Sequence, residues 1–243
     1  DGSTRNDADG SKRPTPEPPH CITQIFLEPI PVDRAAAHPR IRIINRTSVE
    51  QVVVEDSSAT VEVRDLDTGS ITRQSYRYLI GCDGARSVVR KAIGAELAGD
   101  AIVQRVQSTY IRAPGLIDLQ QHANAWGTGA INPRRSGMVY AIDGRERWLV
   151  HNYMKSGEAD FDAVDRDACI RTILGVGAEF NYDIISKEAW YGRRLIDNRF
   201  RDRCAFLAGD APHLWVPYAV SRMNAVGSAA LNLSCPVPAP HNA

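Results

Sequence analysis

Two aspartates in this chain each stand beside a glycine, just past a short apolar run. The first lies in Tyr78-Leu79-Ile80-Gly81-Cys82-Asp83-Gly84-Ala85-Arg86-Ser87-Val88-Val89-Arg90. The second lies in Arg203-Cys204-Ala205-Phe206-Leu207-Ala208-Gly209-Asp210-Ala211-Pro212-His213. Both place a carboxylate where a strand ends, and ligands of open α/β sheets gather at the carboxyl ends of strands. A carboxylate there can accept hydrogen bonds from sugar or sugar-alcohol hydroxyls and does not suit bare phosphate. The neighbouring glycine lets backbone come close to a ligand. Taken singly, an Asp-Gly pair is a common turn and a Gly-Asp pair says little. Their chemistry lies in the combination.

The elements that must position them follow from periodicity. Arg40 to Ile44 alternates Arg-Ile-Arg-Ile and predicts a half-buried strand. Val52 to Val54 and Thr60 to Leu66 are β-rich, and Asp67-Thr68-Gly69 signals a turn before Ile71, so an antiparallel meander is expected. Tyr76 to Cys82 ends apolar on both faces, which predicts a strand buried in the middle of a sheet. A short helix is expected from Ser87 to Ile93, stopped by Gly94, and another from Asp165 to Leu174, stopped by Gly175. Met138 to Ile142 and Trp148 to Val150 read as strands around the Asp143-Gly144 turn. Ala205 to Ala208 reads as a short apolar strand, and Met223 to Leu233 as a helix. The order is α/β, then mostly β, then α/β again, which an inserted second domain would produce.

Composition narrows the classes. The 243 residues suit one large domain or two intimate ones, and 43% hydrophobic with 24% charged is ordinary for a globular protein. Lys and Arg balance Asp and Glu at a formal net charge of zero, which gives no electrostatic case for nucleic acid or an anionic membrane. No run of apolar residues is long enough for a transmembrane helix. The five cysteines are scattered without metal-ligand spacing, so a reducing, cytoplasmic setting and no metal are expected. His213 likewise has no ligand partner at metal spacing. Asp1 to Pro19 is polar and proline-rich and is expected to be loose, as is the tail from Cys235.

Together, in this order and separation, the two motifs resemble the internal flavin motifs of the class A flavoprotein monooxygenases, the phenol and polyketide hydroxylase group. The resemblance runs from about Cys21 to Leu233. Gln24 with Leu27-Glu28-Pro29-Ile30 is similar to that group's Gln-x-x-Leu-Glu-Pro segment, although Gln24 also suits a plain helix surface. Asp143-Gly144-Arg145-Glu146 with Trp148, and Trp190 with Arg193-Arg194, are similar to its substrate-domain landmarks, although both tryptophans also suit a core.

The resemblance implies an α/β fold with an α+β insert. An FAD/NAD(P)-binding Rossmann-like fold would carry an inserted, mostly antiparallel β-sheet substrate domain. The expected organisation is a disordered segment at 1–20, a partial FAD-binding domain with the β-meander at 21–98, and the substrate domain at 99–195. The rest of the FAD-binding domain would follow at 196–234, with a flexible tail at 235–243. It also implies FAD and NAD(P)H as cofactors, with Gln24, Asp83, Gly84, Arg86, Gly209, Asp210, Pro217, Met223 and Asn224 at the flavin. Asp83 and Arg86 would lie near the ribityl and pyrophosphate region and Asp210 at the ribityl hydroxyls. Pro217 would sit near the ring, and Met223 and Asn224 at its pyrimidine end. The implied reaction is hydroxylation of a phenolic or polyketide-like aromatic through a C4a-hydroperoxyflavin. The implied partners are a small aromatic substrate and dioxygen, with a homodimer as the assembly to test for. No catalytic base is named by the sequence; Tyr110, Tyr140 and His151 are available.

Two departures stand out. No Gly-x-Gly-x-x-Gly unit, on the order of 30 residues long, precedes Cys21, so the first βαβ unit is expected to be lacking. After Pro217, where the group has Gly-Gly-x-Gly-Met-Asn, this chain has Tyr218-Ala219-Val220-Ser221-Arg222-Met223-Asn224. A Val220 forced to positive φ would be strained by about 1–2 kcal/mol. The alternative reading is therefore a truncated, non-catalytic remnant with impaired FAD binding. A third keeps the fold and changes the reaction, as in related flavin reductases, epoxidases or halogenases.

Overall fold

The computed structural model describes residues 22–120, 125–217 and 222–233. The chain divides into two compact units, Asp1–Ile43 and Ile44–Ala243. In the first, α1 (Gln24–Leu27) runs into α2 (Pro29–Ala36), where proline at the first helical position has no amide hydrogen to leave unpaired. Neither helix buries a residue.

In the second unit, three strands form the expected meander: β1 (Thr47–Val54), β2 (Ala59–Asp65) and β3 (Ile71–Tyr76), in that spatial order. The β2–β3 turn closes because Asp65 Oδ1 accepts from the amides of Asp67 and Thr68 at 2.9 and 2.8 Å. The anticipated strand at Arg40 to Ile44 does not form. Its alternation is real, yet among the described residues no strand pairs with it. Ile41, Ile43 and Ile44 are 46–50% exposed. Alternation supplies a face, but a strand also needs a ladder.

The next elements are β4 (Leu79–Gly81) and α3 (Val88–Ala92). The sequence joins Tyr76 to Cys82 in one buried strand, but the structure divides it. Tyr76 ends β3, and Ile80 in β4 is 47% exposed because β4 is an edge strand in its three-stranded sheet. The buried middle belongs to β11, described below.

The largest sheet is built from two long strands, β5 (Leu97–Arg112) and β9 (Asp183–Asp197), paired antiparallel from Leu97↔Asp197 to Arg112↔Asp183. Between them in sequence come a 3-10 turn (Pro114–Leu119), β6 (Gly127–Ala130), β7 (Gly137–Ala141), β8 (Arg147–Tyr153) and α4 (Arg166–Leu174). After β9 follow β10 (Arg201–Asp202), β11 (Ala205–Leu207), β12 (His213–Leu214) and α5 (Arg222–Leu233). The six-stranded order is β12-β9-β5-β8-β7-β6, every neighbour antiparallel.

Alternation along β8 sorts its faces. Trp148, Val150 and Asn152 are buried toward α4, and the first two join Ile111, Val139, Ile170 and Ile173 in one core cluster. Trp148 is thus a core residue, 2% exposed, and its indole N–H donates to the Ala113 carbonyl at 3.2 Å. Leu149, His151 and Tyr153 face the other way. A second cluster gathers Val89 and Ile93 around α3, with Ala205 and Leu207 of β11, and β1 covers it with Val52 and Val54. Among the described residues no helix is long and apolar enough to cross a membrane.

Candidate functional site

The two motif strands are direct neighbours. β4 and β11 pair in parallel, Ala205↔Leu79, Phe206↔Ile80 and Leu207↔Gly81, and the ladder continues where the Ala208 amide donates to the Gly81 carbonyl at 2.9 Å. All three β11 residues are buried between β10 and β4. Because the pairing is parallel, Asp83-Gly84 and Gly209-Asp210 leave the sheet at the same edge. Gly84 and Gly209 turn the chain there at φ +73° and +65°, a region that costs other residues energy. Gly81 is needed for a different reason: a Cβ on it would lie 2.6 Å from the Val89 Cβ, so glycine lets α3 rest directly on β4.

At that edge lies a cleft of about 670 Å³. The motif loops contribute Ala85, Arg86, Asp210 and Pro217 to its wall, and the six-stranded sheet contributes Ser108, His151, Glu188 and Trp190. Asp83 is not part of the lining. Its Oδ2 accepts from the amides of Val88 and Val89 at 2.7 and 3.2 Å, and Ser87 Oγ accepts from the Arg90 amide at 2.9 Å, so both cap α3. Gln24 belongs to the first unit, where its exposed side chain donates to Glu28 Oε1 at 3.4 Å. Met223 and Asn224 fall in the first turn of α5, and their side chains, with residues 218–221, lie outside the described residues.

Sequence reasoning missed Arg90. It is 8% exposed, and its guanidinium donates to the Ala211 carbonyl and to the Ala85 carbonyl, each at 2.7 Å. One side chain thereby fixes the loop after β4 to the loop after β11. The available signal was its place inside an apolar helix pattern, Val88-Val89-Arg90-Lys91-Ala92-Ile93, where a charged residue is buried only if it has partners. Behind it sits Asp197, 5% exposed, whose carboxylate oxygens have no hydrogen-bond partner of ordinary geometry among the described residues. Burial raises its pKa, and the Arg90 charge and the loosely facing amides of Asn198 and Arg199 counter that only in part.

An aromatic row runs along the six-stranded sheet, and its His151 and Trp190 end lines the cleft. Ring pairs run Trp126–Tyr140 at 5.0 Å, Tyr140–His151 at 5.2 Å and His151–Trp190 at 5.7 Å. Trp190 on β9 reaches His151 on β8 across the intervening β5 because residue 108 there is a small serine. The Trp190 indole N–H donates to Ser108 Oγ at 2.6 Å. Trp190 is thus part of the cleft wall, whereas its sequence favours a core role. Burial lowers the His151 pKa from 6.5 to about 4, which leaves its imidazole uncharged at neutral pH. His213 is buried and stacks on Trp215, ring centroids 4.7 Å apart, and Trp215 also lines the cleft.

The donor set fits a flavin nucleotide in part. Asp210 offers an acceptor to a polyol, Arg86 offers a cation to phosphate, and the aromatic wall offers a flat apolar surface. Comparison with known proteins agrees. The chain is 27% identical over 188 residues to the FAD-dependent monooxygenase opdD of Penicillium oxalicum, which covers 73% of this chain and 36% of that protein. It is 28% identical over 196 residues to the tetracenomycin B2 monooxygenase-dioxygenase of Streptomyces olivaceus, covering 79% and 35%. Its fold superposes on the flavin-dependent monooxygenase PieE, solved in complex with FAD and substrate. The TM-score there is 0.74 at 25% identity, covering 86% of this chain and 37% of that one. The chain therefore spans little more than a third of the length of these relatives. A family model described as "FAD binding domain" matches residues 2–235, and with motif strands, shared edge and cleft in agreement, the chain belongs to that FAD-binding family.

Proposed function

We propose that this chain forms part of an FAD-dependent, NAD(P)H-using monooxygenase that hydroxylates a phenolic or polyketide-like aromatic substrate with dioxygen. The observation that carries this reading is the single cleft whose wall joins the motif loops to the aromatic sheet face. In this reading Asp210 accepts hydrogen bonds from the ribityl hydroxyls and Arg86 neutralises pyrophosphate. Gly84 and Gly209 bring backbone close to the cofactor, and Pro217 borders the ring. Met223 and Asn224 contribute from the start of α5. Asp83 acts through α3, holding the helix whose Arg90 secures both loops. When bound, FAD would supply the redox and oxygen chemistry, with NAD(P)H as reductant. The chain's own residues bind, orient the aromatic ring and keep water from it.

Absorbance titration of this chain with FAD tests the cofactor half. Saturable binding is expected, and Asp210→Ala should weaken it by about 10-fold or more, the cost of a charge-assisted hydrogen bond. Absence of saturable binding would overturn the reading for this chain and favour a non-catalytic remnant. In the full-length protein, NAD(P)H oxidation should rise only when an aromatic substrate is present. Oxidation indifferent to aromatics would instead point to a flavin reductase.

A further inference from the structure

His151 is one of three side chains that sequence alone leaves available to meet a substrate, with Tyr110 and Tyr140. The structure separates them, because of the three only His151 lines the cleft. Its ring is held edge-on between Tyr140 and Trp190, at 5.2 and 5.7 Å with interplanar angles of 69° and 74°, so its orientation is set from both sides. A flat aromatic ligand lying along this wall would present its substituents to that ring edge.

The other polar groups of the cleft are less suited to a hydroxyl. Arg86 and Arg193 can only donate, Asp210 is taken by the ribityl hydroxyls in the proposed reading, and Tyr191 is 38% exposed and packs on Phe161 at 5.4 Å. Glu188 is exposed and solvated, and Ser108 Oγ already takes the Trp190 indole N–H. An uncharged imidazole presents one nitrogen that accepts and one that donates, which matches a group that is itself both donor and acceptor. Magnitudes decide between recognising the hydroxyl and removing its proton. An imidazole titrating at about 4 is roughly six units below a phenol near 10, so full transfer is strongly uphill. A hydrogen bond requires no transfer.

We infer that His151 is the specificity-determining residue that accepts the hydrogen bond of an aromatic substrate's hydroxyl group. This rests on reading the cleft as an aromatic-substrate site. The O–H bond stays intact, and the hydroxyl oxygen is held at a fixed point on the wall while the ring lies beside Trp190.

Calorimetric titration of the full chain with 2-naphthol and with its methyl ether, 2-methoxynaphthalene, tests the inference. The two share one ring system and differ in the donor. Wild-type protein should prefer 2-naphthol by about tenfold, the worth of one hydrogen bond. His151→Gln keeps an acceptor and should retain most of that preference. His151→Leu should bind both compounds with the preference gone. A preference that survives in His151→Leu overturns the inference. Equal binding of both compounds by wild type also overturns it, and leaves the aromatic cleft standing. Binding of neither overturns the cleft reading with it. Should the leucine variant not fold, nitrogen resonances of the His151 ring in wild type decide. They should move with 2-naphthol and not with the ether, and indifference to 2-naphthol refutes the assignment.

Discussion

Arg90 donates to one carbonyl in each motif loop, so its removal leaves two carbonyls without their donor and both loops untied. Arg90→Met keeps much of the volume and should cost about 2–3 kcal/mol in urea denaturation, with weakened FAD binding. Asp197 tests the opposite sign. The folded protein binds this carboxyl's proton more tightly than the unfolded chain does. Its stabilising contribution is therefore present below 3.8 and lost as pH rises through its higher native value. Asp197→Asn should melt at a higher temperature than wild type at pH 7, and the difference should close below pH 3.8. His151 runs the other way. Its depressed pKa favours the fold above 6.5, and that contribution is lost as pH falls toward 4, by up to about 3 kcal/mol. His151→Gln should flatten the denaturation profile over that window. The place of Asp210 at the strand end was legible in the sequence, because a strand and a turn together say where a loop residue stands. It could not say that Asp83 would turn into α3, since an Asp-Gly pair does not fix which backbone amides its carboxylate meets.

At the scale of elements, local signals were the reliable ones. α4 starts where Asp165 accepts from the Ala168 amide at 3.1 Å and stops where Gly175 takes φ +69°, both readable from residue type. Asp165→Ala should cost about 1 kcal/mol, measurable by thermal denaturation, and should not alter ligand binding. What the sequence could not give was which apolar run would be covered. β4 and β11 look alike as strings, and only neighbours on both sides make β11 the buried one. Arg40 to Ile44 fails by the same logic. Gly81 exposes the tolerance of the β4–α3 contact: Gly81→Ala would drive a methyl into Val89 and should destabilise by about 1–3 kcal/mol through overpacking.

For the whole molecule, the α/β, β, α/β order was visible, and so was the meander. The β5–β9 pairing was not, because strands so distant in sequence find their register through tertiary contacts. That pairing brings the aromatic wall together, since β5 links Trp190 on β9 to His151 on β8. Hydrogen exchange should reflect it. Amides of β5, bonded to β9 on one side and β8 on the other, are expected to exchange among the slowest, and those of 22–43, with no buried helix residue, among the fastest.

The β5–β9 ladder is not uniform. Between Asp100 and Gln104 one strand advances four residues, while its partner advances only two, from Arg194 to Gly192. Ile102 and Val103, within this surplus, are about half exposed. The ribbon thus resembles a two-railed track with slack in one rail, where curvature can change while both ends stay bonded. Deleting Ile102 and Val103 would take up the slack, straighten the track and re-aim its Asp197 end, beside the loop after β11, against the end that carries the aromatic wall.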